Sequence, residues 1–274
     1  IKPVDPLSQI NPNAAGLDIG AQEIYVCVPA DRDTEFVRAF PTFTRDLYAL
    51  ADWLTAYSIE TVAMESTGVY WIPIYEILEG RGIEVYLVNA RHVKNVPGRK
   101  TDILDCQWIQ QLHTFGLLSG AFRPDEQICT LRGYVRQRAM LVEYASHHVQ
   151  HMHKALEQMN IKLKRVITEV TGVTGMRIIR SIIDGERDPR KLASFRDGRC
   201  RHDEDTIAKS LEGTWRQEHL FALKQAVEFF DTFHEKIKEC DTAIEKYLAT
   251  LDDAAALHKK GKSKGVTRRR NEPH

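Results

Sequence analysis

The sequence predicts a mixed α/β domain, a sheet covered by helices, followed by an all-α region with coiled-coil spacing. Three observations lead to that class. Residues 14–88 alternate short apolar runs with stretches of helical periodicity. Beyond residue 125 apolar residues recur in steps of three and four over two long stretches. The chain has 274 residues, 43% hydrophobic and 28% charged, a globular composition with length for one large domain or two ordinary ones.

Taken in order, "AGLDIG" and "EIYVCVPA" read as paired strands, and "EFVRAF" as a third. "RDLYALADWLTAY" has the period of an amphipathic helix. "IETVAMES" is a strand, "YWIPIYEILEGRG" a helix stopped by Gly80 and Gly82, and "IEVYLVN" a fifth strand. Hairpin-like strands followed by strand–helix–strand units predict a mixed sheet covered by helices. A basic loop, "RHVKNVPGRK", then leads into a helix beginning near Asp102.

In the second region, Ile128, Leu131, Val135, Arg138, Val142, Ala145, Val149, Met152, Leu156 and Met159 form one stripe, broken only by Arg138. Leu223, Ala226, Phe230, Phe233, Ile237, Cys240, Ile244, Tyr247 and Leu251 form another. Each implies a helix about 45–50 Å long. Spacing leaves open whether the two pair within a chain or between chains. The expected organisation is 1–124 for the sheet domain, 125–253 for the helical coiled-coil domain and 254–274 for a basic linker or tail.

Net charge is zero but unevenly placed. Residues 1–120 carry 9 Lys+Arg against 15 Asp+Glu, residues 121–253 balance at 22 against 22, and residues 254–274 carry 7 against 1. A basic tail on an acidic domain favours contact with a polyanion. Cys27, Cys106, Cys129, Cys200 and Cys240 show no paired spacing, and there is no signal peptide or long apolar run, which predicts a reducing, cytoplasmic setting and no membrane. The start at Ile1 suggests a trimmed or incomplete beginning.

The chemistry-bearing residues are acids. Asp18 lies in the first strand and Glu65 at the end of the fourth, while Asp102 and Asp105 are three apart at a helix start and so share one face. Oxygen-only ligands suit Mg²⁺ or Mn²⁺, and a cation would relieve the repulsion between the two aspartates. Taken singly, each acid has an ordinary alternative: a turn former near Gly20, or a helix-start acid favoured by the dipole. Arg91, Lys94, Arg99 and Lys100, just ahead of the pair, are candidates for holding a phosphate backbone, or form a solvated loop. Tyr70 and Trp71 are candidates for base stacking or core packing. His147, His148, His151 and His153 include a zinc-compatible spacing but no third ligand, which favours an exposed helix face or RNA contact. "TGVTGM" could present backbone N–H groups to a phosphate.

In combination, "GLDIG", "MESTGVYW", "KTDILD" and the longer "VYLVNARHVKNVPGRKTDILDCQWI" resemble the DEDD transposases of bacterial insertion sequences. The resemblance covers the chain to about residue 253. It implies a RuvC-like, RNase H-fold domain with metal-binding, catalytic acids at Asp18, Glu65, Asp102 and Asp105, then a coiled coil through which copies assemble. It also implies a recombinase acting on DNA under the direction of an element-encoded guide RNA. The family's C-terminal domain supplies a serine nucleophile, and no segment here corresponds to it. The chain is therefore expected to be the N-terminal part of such a recombinase. A standalone Mg²⁺-dependent junction or strand nuclease, and a non-catalytic nucleic-acid-binding assembly fragment, are the alternatives. An actin-like ATPase is a fourth reading through "GLDIG", without a second phosphate loop to support it.

Overall fold

The computed structural model describes residues 8–66, 68–88 and 102–263, with side chains described as far as residue 251. It divides into two compact units, Ile1–Arg123 and Pro124–His274.

In the first unit the strands are β1 (Ala14–Ile19), β2 (Glu23–Cys27), β3 (Val37–Pro41), β4 (Thr61–Glu65) and β5 (Glu84–Val88). Its helices are α1 (Thr44–Ala56), α2 (Trp71–Gly80) and α3 (Asp102–Thr114). Among the described residues, these strands and helices fall where the sequence reading put them, α3 beginning at Asp102. They form one sheet in the order β3-β2-β1-β4-β5. The β1–β2 and β2–β3 pairs are antiparallel, while β1–β4 and β4–β5 are parallel. This mixed five-stranded sheet with flanking helices is compatible with an RNase H-like fold.

Alternation along the strands separates the two faces. Ala15, Leu17, Ile24, Val26, Val62, Met64 and Leu87 point to one side and form a core with Leu47, Leu50 and Leu54 of α1 and Ile74 and Leu78 of α2. The opposite face carries Ala63 and Val88, which pack on Ile109 of α3. Gly16 shares that face, and it allows α3 to lie almost backbone to backbone on β1. A Cβ there would come within 2.3 Å of the Gln110 nitrogen and 2.4 Å of the Cys106 oxygen.

The second unit is helical: α4 (Glu126–Gln158), α5 (Leu163–Val166), α6 (Val173–Ile183), α7 (Pro189–Ala193), α8 (Glu204–Ser210) and α9 (Gln217–Ser263). The long helices α4 and α9 pair antiparallel within the chain. The Tyr247 hydroxyl donates to the Gln127 carbonyl at 3.1 Å, Arg138 pairs with Asp241, and the Tyr144 and Phe233 rings lie 5.7 Å apart. At the other end of the pair, Met152 and Leu156 of α4, Met159 just after it, and Leu223, Ala226 and Val227 of α9 join Ile178, Ile182, Leu192 and Ile207 in one core with the short helices.

Two expectations change. The seam on α4 runs through Tyr134, Arg138, Leu141, Ala145, His148 and Met152, whereas Ile128, Val135 and Val142 are 40%, 48% and 39% exposed. The predicted stripe held Arg138, Ala145 and Met152 of this seam but not Tyr134, Leu141 or His148, because aromatic and ionic side chains occupy part of the interface. The stretch read as a basic linker from residue 254 is helical as far as Ser263. Ala254, Ala255, Ala256 and Leu257 are strong helix formers, so the helix propagates without an apolar stripe.

Candidate active site

The position of α3 decides where the acids fall. Its C-terminal end is tied to the segment before β1: Ile10 and Asn11 donate to the Thr114 carbonyl at 2.9 and 3.0 Å, and the Asn11 side chain to the His113 carbonyl at 2.8 Å. One turn back, Gln110 Nε2 donates to the Ala14 carbonyl at 3.3 Å. The helix therefore runs antiparallel to β1, and its first turn crosses the strand's C-terminal end.

Asp18 is two residues beyond Gly16, on the face that α3 covers. The Cys106 thiol is pushed up by its contact with the Cys27 thiol, by burial and by the Asp18 carboxylate. Glu65 is two residues beyond Ala63 and lies on the same face. Leu17 pairs with Met64 in the parallel register, so Asp18 and Glu65 end neighbouring strands side by side. The direction of strand connections reverses between β1 and β4, and ligands of open α/β sheets bind outside the carboxyl ends of strands at such a point. Asp102 and Asp105 occupy the first turn of α3, where the helix dipole favours acids. Asp102 is exposed; Asp18, Glu65 and Asp105 are half-buried.

Tyr25 was not legible as a site residue. It pairs with Asp18 across the β1–β2 hairpin and lies on the α3 face. Its hydroxyl donates to Glu23 Oε2 at 3.3 Å. Its proton is held more tightly by the Glu23 carboxylate first, then by burial and by the charge of Asp102. The hairpin register is the signal that could have found it.

The structure thus brings Asp18, Glu65, Asp102 and Asp105 to one end of the sheet. Among the described residues, no three His, Cys, Asp or Glu side chains form a ready metal cage. An all-carboxylate donor set suits a hard divalent cation, which Asp18, Glu65, Asp102 and Asp105 would hold with water filling the remaining positions. Arg91, Lys94, Arg99 and Lys100 lie outside the described residues.

Beneath the acids α3 is pinned by a buried polar pair. The Thr61 hydroxyl and His113 Nε2 are 2.9 Å apart, and burial pushes His113 down to about 4 from an ordinary value of 6.5. Trp71 packs edge-on against Tyr75 with rings 5.7 Å apart, while Tyr70 is exposed. His148 is stacked between Phe229 and Phe233, with ring centroids 5.0 and 5.4 Å away, as part of the helix seam. In "TGVTGM", Gly175 fits where a Cβ would lie 2.1 Å from the Val170 carbonyl oxygen, so tight packing explains that glycine.

The sequence model of the IS110-type DEDD transposases, described as "Transposase", matches residues 15–161, just over half of the chain. The chain belongs to this transposase family. The match opens on β1 and ends just beyond α4, so it spans the strands and helix that carry all four acids. Comparison with curated proteins gave no match. Among the described residues no helix of this transposase is long and apolar enough to cross a membrane.

Proposed function

We propose that this chain supplies the divalent-metal site for DNA strand cleavage and exchange in an insertion-sequence transposase. What supports the reading is the placement of Asp18 and Glu65 side by side at the ends of adjacent strands and of Asp102 and Asp105 in the first turn of the helix packed on β1. Bound there, one or two Mg²⁺ or Mn²⁺ ions would stabilise charge on the attacking and leaving oxygens of a phosphodiester. The residues' own part is positional. The sheet fixes Asp18 and Glu65, and the close approach at Gly16 fixes the first turn of α3 relative to them.

The remaining roles follow from charge and exposure. Arg91, Lys94, Arg99 and Lys100 precede α3 in sequence and supply cations for the phosphate backbone of DNA. The family resemblance implies a structured guide RNA as the second polyanion, with the basic residues after 254 as a contact for either nucleic acid. The antiparallel α4–α9 pair serves as a coiled coil, and the exposed Ile128, Val135 and Val142 give a second copy an apolar stripe to pack against. Five unpaired cysteines fit a reducing cytoplasm.

Calorimetric titration with Mn²⁺ tests the reading. Asp18→Asn and Asp105→Asn each weaken binding at least tenfold while helical content stays constant. Unchanged affinity in both variants removes the metal site. A standalone strand nuclease uses the same acids, and cleavage of branched DNA by this chain alone in Mg²⁺ would favour it.

A further inference from the structure

Beside the acids, the sheet carries an open cavity of about 430 Å³ lined by Tyr25, Glu35, Val37, Arg38, Ala39, Phe40 and Ile103. Its floor is apolar. Ala39 pairs with Tyr25 and Val37 with Cys27, so Tyr25, Val37 and Ala39 share the α3 face of β2 and β3. Ile103, 47% exposed, walls it from the first turn of α3. The cavity neighbours the acid site by residue adjacency: Tyr25 pairs with Asp18, and Ile103 follows Asp102.

Its rim is unsuited to phosphate. Glu35 is exposed, and Glu23 accepts the Tyr25 hydroxyl. Arg38 is shared between Asp33, at 2.8 Å, and Glu35, at 3.5 Å, and its guanidinium lies 5.0 Å over the Trp53 ring. An apolar floor with an aromatic ring accepts a neutral planar group, and a rim whose arginine is already paired with two carboxylates offers a backbone anion little. A nucleotide whose phosphate is held at the carboxylates through a cation has that planar group one sugar away.

We propose that the shelf formed by Tyr25, Val37, Ala39 and Ile103 is a nucleobase subsite. The base flanking the phosphate at the acid site leaves its stack and lies there. The proposal rests on the metal-site reading above. An unstacked base presented to an aromatic side chain contributes binding with little dependence on sequence, because every base has a π-face. Tyr25 and Ile103 would then position the strand for cleavage without touching the reacting phosphate.

The test compares 2′-deoxyadenosine 5′-monophosphate with 2-deoxyribose 5-phosphate, each titrated into the whole chain with Mn²⁺ present. The nucleotide is expected to bind about tenfold more tightly, the share of one stacked base. That preference collapses toward unity in Tyr25→Ala and in Ile103→Ala; Ile103 is exposed, so its variant folds. Equal binding of the two ligands to the wild-type chain, no binding of either, or a preference surviving both substitutions would overturn the subsite. Asp105→Asn separates the two readings. If it leaves sugar-phosphate binding intact, the metal site fails; if it abolishes that binding while the wild type shows no nucleotide preference, only the shelf fails.

Discussion

Single residues set the geometry here by what they lack or bury. Gly16 lacks a Cβ where one would overlap the backbone of α3, so Gly16→Ala pushes the helix off the strand. The overlap is with backbone atoms that cannot rotate away, which puts the cost at about 3 kcal/mol or more. Urea unfolding would read it as a lower midpoint, and an unchanged midpoint would mean that α3 shifts freely. His113 is a second such residue. Folded, it stays neutral down to about pH 4; unfolded, it takes a proton near 6.5. Between those values the unfolded state binds the extra proton, so stability is present above pH 6.5 and falls as pH drops toward 4. His148 and His153 are also pushed down, chiefly by burial, and add to the same slope. In His113→Gln the fall between pH 6.5 and 5 becomes shallower; an identical slope would assign the effect to those two histidines instead.

At the scale of elements, α4 and α9 are held by an interface that mixes apolar contact with exposed charge. Leu141, Ala145 and Ile237 are buried there, whereas the Arg138 and Asp241 side chains remain 41% and 43% exposed. A pair that open to water contributes at most about 1 kcal/mol. A double-mutant cycle of Arg138→Met with Asp241→Asn should therefore give a coupling below that figure, while Leu141→Ala alone costs about 2–3 kcal/mol. A coupling larger than the Leu141 effect would make the ion pair the organising contact. The same interface shows why some elements were legible and others were not. The strands, α1 and α2 carry their period in aliphatic residues, α9 keeps its stripe from Leu223 to Leu251, and α3, whose buried face is Cys106, Ile109, Gln110, His113 and Thr114, was legible from its motif instead. On α4 the seam includes Tyr134, Arg138 and His148, residues that an apolar count treats as surface. The four acids could be read from their motifs, but Tyr25 could not, since it joins them only through the register of a hairpin.

On the whole molecule, charge is segregated along the chain. The acidic first unit bears the candidate metal site, and the positive charge of the last residues begins on a helix and continues past Ser263. An acidic surface repels DNA except where cations bridge it, so affinity must come from basic segments elsewhere. Lys264, Arg268, Arg269 and Arg270 follow the last described helical residue. If all four meet phosphates, they release about four counterions. Removing residues 264–274 then lowers the slope of log affinity against log salt by about 3–4 for duplex DNA. The loss would be uniform across sequences, because phosphate contacts carry no base information. Fluorescence anisotropy over 50–200 mM salt reads the slope directly. A parallel line displaced downward would mean that the segment alters assembly; a flatter line that converges at high salt is the signature of lost phosphate contacts. An unchanged line would leave the basic residues between β5 and α3 as the main electrostatic contact with DNA.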